Sequence, residues 1–302
     1  DFNVRPWEDY LNSGSFSGWD QDGDGLGPFG DARLRQAVAM CMDRQAVVDT
    51  VMFGQSVVLD VYIPPEHPLF NTEANHYDFD VDAATALLDE IGWVDDDGDP
   101  ATPRVASGVT GVPDGTPLEF NYGTTTATQR QQATAIMGES MAQCGMKVNL
   151  EYYPASEWFE DSPEAPMAGR RYDLGQFAWL ASVEPSCDAY IAEGIPGPTD
   201  QINPFTGNPY VEWQIWNWGG YYNEEYEAAC AMAIQGLPGQ DNYVNGHLES
   251  QRIFSEDLPV VPLYVRLKLA ATRPDFCNFI MDPTNNSEFF NLEEFGYGAH
   301  CE

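Results

Sequence analysis

Apolar residues between Asp31 and Phe53 recur at three- and four-residue steps or their multiples, at Leu34, Ala37, Val38, Cys41 and Val48, with Gly54 following. That period predicts a single helix over 31–53 closed by the glycine. After the proline-rich "YIPPEHPLFN", the stretch "YDFDVDAATALLDEIGW" places Ala83, Ala84, Leu87, Leu88 and Ile91 on one stripe, with Asp80 positioned to cap a short helix. The segment "DDDGDPATPRVASGVTGVPDG" has no period and reads as a turn-rich excursion. From Thr116 the pattern becomes strand, helix, strand: "LEFNYGT", an amphipathic stretch from Thr128 to Cys144, and the alternating "MKVNLEYY". A short helix near Ser156 and a strand around "YDLGQFAWL" follow. A loop of about 184–222, rich in Gly, Pro, Asn and Trp, is too long for a simple connector, and loops of that kind usually carry function. Helices near 224–233 and 243–255, a strand "LPVVPLYV" and a mixed tail complete the chain. Alternating strands and helices predict an α/β layered domain.

Composition narrows the possible functions. The 302 residues are 43% hydrophobic and 13% aromatic, enough for a sizeable core. Net charge is −35, from 48 acids against 13 bases, and only Lys147 and Lys268 are lysines. Phosphate recognition needs clustered Lys and Arg to displace counterions, so this surface argues against nucleic acid and anionic lipid as partners. No run of 18 apolar residues is long enough to span a bilayer, and "DFNVRPWEDY" lacks the layout of a secretory leader, so any export signal is expected upstream. The six cysteines, Cys41, Cys144, Cys187, Cys230, Cys277 and Cys301, are even in number and form no CxxC, which favours disulfides in an oxidising compartment over metal ligation. Buried free thiols are the alternative, and six cysteines allow fifteen full pairings.

Two acidic loops invite a calcium reading. Asp20, Asp22, Asp24, Gly25 and Asp31 fall at positions one, three, five, six and twelve of a calcium-loop pattern, and Asp95, Asp97 and Asp99 repeat the alternate spacing with Pro100 in place of the glycine. Alternate carboxylates on a turning backbone aim hard oxygens at one point, which is what calcium takes. Position twelve is Asp where a sensor has Glu, and "YLNSGSFSGW" is a poor helix, so a structural staple is expected rather than a sensor. The competing reading is a solvated acidic turn, with Asp31 capping its helix.

Little points to catalysis. The four histidines, His67, His76, His247 and His300, are scattered, and HExxH, GxSxG, P-loop and GxGxxG patterns are absent. Paired acids such as Glu224/Glu225 and Glu256/Asp257 fit a glycosidase only as chance would supply them among 48 acids. More informative is the cluster Trp213, Trp216, Trp218, Tyr221 and Tyr222, which is either a satellite core or a stacking wall for a ligand.

Four segments, in order, resemble the C-terminal lobe of family 5 extracellular solute-binding proteins, the receptors of oligopeptide and dipeptide ABC importers. "FGDARLRQAVAMCMDRQAVVDTVMFGQ" is similar to the family's Arg-Gln-Ala…Asp-Arg…Gly helix through Arg35, Gln36, Ala37, Asp43, Arg44 and Gly54. "FDVDAATALLDEIGW", "MAQCGMKVNLEYY" and "EDLPVVPLYVRLKLAATRPDFCNF" resemble the motifs that follow it. The resemblance implies a periplasmic-binding-protein-like α/β lobe, with a mixed sheet flanked by helices and long loop insertions. It also implies that residues 1–302 form one jaw of a two-lobed clamp whose N-terminal lobe and signal peptide are absent. The expected function is capture of a small ligand, a peptide, for an ABC permease, by a monomer outside the cytoplasm, periplasmic or tethered as a lipoprotein. No catalytic cofactor is expected.

In peptide-binding members a tryptophan is followed three residues later by an aspartate that holds the ligand's ammonium. Trp179 matches the tryptophan, but the third position on is Ser182, whose neutral hydroxyl cannot supply a charge-assisted bond. Glu184 and Asp188 are the expected substitutes. "IWNWGGYYNEEYEAA" resembles the next family segment, with Asn217 matching, and places Trp216, Trp218, Tyr221 and Tyr222 near the cleft. Related receptors bridge this loop to its return segment, which implies Cys187 with Cys230; Cys41 with Cys144 and Cys277 with Cys301 complete the expected set. The alternatives are a secreted carbohydrate-binding or carbohydrate-active module, and a calcium-dependent structural domain.

Overall fold

The structure, a computed structural model, describes residues 1–5, 26–99, 101–179, 183–213, 215–266, 269–282 and 287–299. Its helices are α1 (Ala32–Cys41), α2 (Arg44–Thr50), α3 (Val81–Ile91), α4 (Thr128–Ala142), the single turn α5 (Ala155–Trp158), α6 (Glu224–Gln235) and α7 (Asp241–Asp257). Its strands are β1 (Trp93–Val94), β2 (Val105–Ala106), β3 (Glu119–Thr125), β4 (Lys147–Tyr153), β5 (Leu174–Gly175), β6 (Phe276–Cys277) and β7 (Gly296–Tyr297). The α/β expectation is met.

The main sheet has the order β4-β3-β5, all parallel, with Glu119 to Thr125 of β3 in register with Lys147 to Tyr153 of β4, and Tyr122–Gly123 opposite Leu174–Gly175. Phe2 adds an antiparallel bridge at Leu174. α4 makes the crossover between β3 and β4 and buries Ala133, Met137 and Met141 in a core shared with Leu34, Val38 and Cys41 of α1 and Leu88 of α3. A disulfide joins Cys41 to Cys144 across this core. A second core, built on α6, α7 and the start of the long loop, contains Val61, Ile63, Tyr190, Tyr221, Tyr226 and Phe254, with a disulfide from Cys187 to Cys230. Cys277 is also disulfide-bonded, and its expected partner Cys301 lies outside the described residues.

The predicted helix over 31–53 is two helices. Asp43 has left helical geometry, and its carboxylate accepts the Ala46 N–H at 2.8 Å as the cap of α2. A capping carboxylate offers the backbone an alternative to continuing the helix, contributing about 1 kcal/mol. Asp80 caps α3 as expected, and Gly92, at φ 98°, ends it in the left-handed conformation that glycine adopts without a Cβ clash. "LPVVPLYV" is not a strand: only Tyr264 forms a bridge, to Val58, because Pro259 and Pro262 have no N–H to give a ladder. The strand expected around "YDLGQFAWL" is reduced to β5.

Buried arginines tie the pieces together through backbone carbonyls. Arg35 Nε donates to Asp257 O at 2.7 Å and Leu258 O at 3.1 Å, and its Nη1 donates to Phe29 O at 2.5 Å. Arg44 donates to Leu59 O, Pro262 O and Tyr77 O. Burial pushes Arg35 down to about 10, so it stays charged at neutral pH.

Candidate functional site

In a parallel sheet all strands end at one edge, and where consecutive connections run to opposite sides the chain leaves a crevice outside those ends. Here β4 lies on one side of β3 and β5 on the other, so the carboxyl edge of β3 and β5 is such a switch point. Aromatic rings pave it. Trp158 and Tyr153, which follow and end β4, stack at 5.3 Å. Phe177 and Trp179 follow β5; Trp218 from the long loop stacks on Trp179 at 5.2 Å and 17° and meets Phe177 edge-on at 4.9 Å. Trp216 meets Trp179 at 5.5 Å. Trp218 is 7% exposed, whereas Trp179 and Trp216 are 39% and 52% exposed, so a buried ring supports two rings that face solvent. Farther along, Tyr222 stacks on Phe205 at 4.6 Å, with the Arg5 guanidinium 4.7 Å over the same Phe205 ring.

Polar groups accompany the shelf. Trp218 Nε1 and Gln176 Oε1 are buried without a hydrogen-bond partner. Sequence reasoning missed Gln176 and Arg130. Arg130 sits in the first turn of α4, which has no side-chain cap, and donates to Gln176 O at 3.0 Å, beside the Thr124 hydroxyl that donates to the same carbonyl at 2.9 Å. Burial holds the Arg130 pKa below the usual guanidinium range, and the nearby Arg266 charge adds to this. The available signal was positional: an arginine one turn into the helix after the central strand, in a chain poor in cations.

The other expected ligand residues are placed elsewhere. Asn217 is buried and clasps the long loop: its amide donates to Ile191 O at 3.0 Å and Tyr221 O at 2.8 Å, and its oxygen accepts the Tyr221 N–H at 3.0 Å. Tyr221 is turned into the second core, its hydroxyl donating to Asp257 Oδ2 at 2.7 Å. Glu184 faces α7, where its Oε1 lies 3.5 Å from His247 Nε2 and its charge, after burial, helps raise the Tyr243 pKa. Asp188 is exposed in a short turn, Cys187–Tyr190, and its charge acts on Tyr62 of the second core. Ser182 lies outside the described residues. Of the nine expected contacts, the structure therefore brings Trp179, Trp216 and Trp218 together, with Tyr222 on a separate stack with Phe205.

The acidic loops are separate from this edge. Asp31 caps α1 by accepting the Arg33 N–H and pairs with the Arg33 guanidinium at 2.7 Å. Asp95, Asp97 and Asp99 accept N–H groups of their own turn, from Gly98, Asp99 and Ala101, at 2.8 to 3.0 Å, and Asp97 also takes the Thr102 hydroxyl. Among the described residues no group of three or more His, Cys, Asp or Glu is disposed to hold a metal ion. Asp20, Asp22 and Asp24 lie outside the described residues.

A family model described as "Bacterial extracellular solute-binding proteins, family 5 Middle" matches residues 11–193. The chain belongs to this family. Similar proteins include heme-binding protein A of Haemophilus influenzae, 21% identical over 274 residues, and oligopeptide-binding protein AppA of Bacillus subtilis, 24% identical over 268. The matches cover 89% and 87% of this chain but 43% of each relative, so the chain spans less than half the length of these relatives. An oligopeptide-binding protein from Thermus thermophilus in complex with a pentapeptide shares the fold, with a TM-score of 0.71 at 24% identity over 89% of this chain and 44% of that one. Among the described residues no helix is long and apolar enough to cross a membrane.

Proposed function

We propose that this chain is the C-terminal lobe of a two-lobed extracytoplasmic receptor, periplasmic or lipid-tethered, that captures a peptide as a monomer and presents it to an ABC permease. The observation that carries the reading is the exposed Trp179/Trp216 shelf at the carboxyl edge of a parallel sheet, in a chain of family 5. The lobe binds without breaking a bond. Aromatic faces desolvate an apolar or ring-bearing side chain, while Trp218 Nε1 and Gln176 Oε1 offer one donor and one acceptor to a backbone amide. Arg130 supplies positive charge for a carboxylate, which a surface of net charge −35 otherwise repels. The second lobe closes over this face.

Native mass spectrometry of the receptor expressed with its other lobe tests this. A series of adducts at peptide masses supports the reading; a single sugar-like or tetrapyrrole mass overturns the peptide assignment.

A further inference from the structure

Beyond Pro262 no apolar side chain is buried among the described residues, and from 269 to 299 none joins either core or the shelf. These residues are nevertheless folded against one another. β6 pairs with β7, Phe276 opposite Tyr297 and Cys277 opposite Gly296, and the Gly298 N–H donates to Asp275 O at 2.9 Å. The buried Asn291 amide donates to Asn278 O at 2.7 Å, and the Asn278 amide donates to Glu294 O at 2.6 Å. On this frame Phe295 meets Phe276, Phe279 and Phe289 at 5.1, 5.9 and 6.3 Å. The periphery of the ring cluster is open: Leu269, Ile280, Phe289, Leu292 and Tyr297 are each more than half exposed.

A two-stranded hairpin is marginal in water until another element packs on it, and about thirty residues are too few to bury a core of their own. Disulfide bonding at Cys277 restrains the chain but supplies no apolar partner. An exposed aromatic cluster of this kind marks a surface that another body covers.

We propose that residues 269–299 are a strap whose open aromatic face packs on the second lobe of the receptor, with Phe289, Leu292 and Tyr297 as its anchors. This rests on the two-lobed reading above and narrows it, because the last part of the chain then packs on the opposite jaw. Three observations choose the occupant. The chain spans less than half the length of its relatives, which leaves enough polypeptide for a whole lobe outside these 302 residues. That polypeptide also joins in the right place. The Phe2 N–H donates to Pro259 O at 3.3 Å and the Val265 N–H to Val57 O at 3.2 Å, so a segment preceding Asp1 emerges beside the stretch from which the strap departs. Finally, two copies of a chain of net charge −35 repel each other, which disfavours a second copy on this face.

The strap is read without ligand, by peptide-resolved hydrogen exchange on chain 1–302 and on the receptor expressed with its other lobe. The expected result is exchange about tenfold slower or more at residues 287–297 in the receptor. The double variant Phe289→Asp/Leu292→Asp should lower the melting temperature of the receptor and leave that of chain 1–302 unchanged. Equal exchange in the two proteins overturns the strap. So does a double variant that lowers both melting temperatures alike. Protection that rises with receptor concentration, together with a dimer in sedimentation, assigns the face to a second copy and also overturns it. If the double variant is not recovered as receptor, Tyr297→Ser, which removes a ring and adds no charge, is judged by the same two melting temperatures. A receptor protected at 287–297 that carries no peptide sinks the functional reading and leaves the strap intact; a peptide-loaded receptor without that protection does the reverse.

Discussion

The half of the molecule around β3, α4 and β4 and the half around the long loop are held by different physics. In the first, seven residues of β3 pair in register with seven of β4, and α1, α3 and α4 bury apolar stripes in one core. In the second, the described part of the loop before α6 has two short 3-10 segments, Cys187–Tyr190 and Ala192–Gly194, and one isolated bridge, Ile202 to Pro209, and side chains satisfy much of its backbone: Asn217 takes three loop groups, Asn203 donates to Ala192 O, and Glu227 accepts the Ala192 N–H. Periodic burial makes the first half redundant, with many residues sharing the load. Beyond its anchorage in the second core, the loop relies on a few polar side chains and one disulfide, so single changes there are expected to act locally and strongly.

The sharpest way to break this comparison is to remove each disulfide in turn. Chain-entropy arguments give roughly 4 to 5 kcal/mol for each of the loops that Cys41–Cys144 and Cys187–Cys230 close, at separations of 103 and 43 residues. Both double serine variants should melt lower. Only Cys187→Ser/Cys230→Ser should also expose residues 183–223 to limited proteolysis; equal cleavage in both variants would refute the division. Next comes Asn217→Ala, which leaves backbone groups of half-buried Ile191 and buried Tyr221 unpaired and should cost about 2 to 3 kcal/mol in denaturant unfolding. A loss below about 0.5 kcal/mol would mean that water replaces the amide.

Trp179→Ala removes a partly exposed ring, so its stability cost should be about 1 kcal/mol. Its effect should appear instead in peptide retention by the full-length receptor; retained adducts at wild-type level would remove the shelf from the site. The smallest effect is expected at His76. Partial burial opposes its charge, but hydrogen bonds to Asp60 and Asp78 outweigh this and raise its pKa. Its contribution is therefore full below about 6.5 and fades as pH rises through the raised value. His76→Gln should lower the melting temperature at pH 5.5 and leave it nearly unchanged at pH 8.5.

The same division explains what could be read from sequence. α3 follows an apolar stripe buried on one face, and α4, α6, α7, β3 and β4 are bounded by turn and loop signals in the sequence. The break between α1 and α2 was hidden because Val48 continues the apolar period across a cap. The prolines in "LPVVPLYV" removed the ladder that its apolar character suggested. In the long loop no period reports direction: Asn217, Tyr221 and Glu184 sit in segments that the family resemblance places near the cleft, yet their partners are loop carbonyls, Asp257 and α7. The tryptophans were legible because no core in that aperiodic stretch could bury all of them.

Arg35, Arg44, Arg104 and Arg170 are buried, and the carbonyl oxygens they reach are fixed dipoles of the backbone. A bond to a carbonyl inside the fold is not dissolved by counterions as an exposed ion pair is. The acidic exterior, by contrast, repels itself, and that repulsion fades as salt is added. Raising ionic strength therefore relieves the surface while leaving these internal clamps intact, so brine should be a stabilising solvent for this lobe.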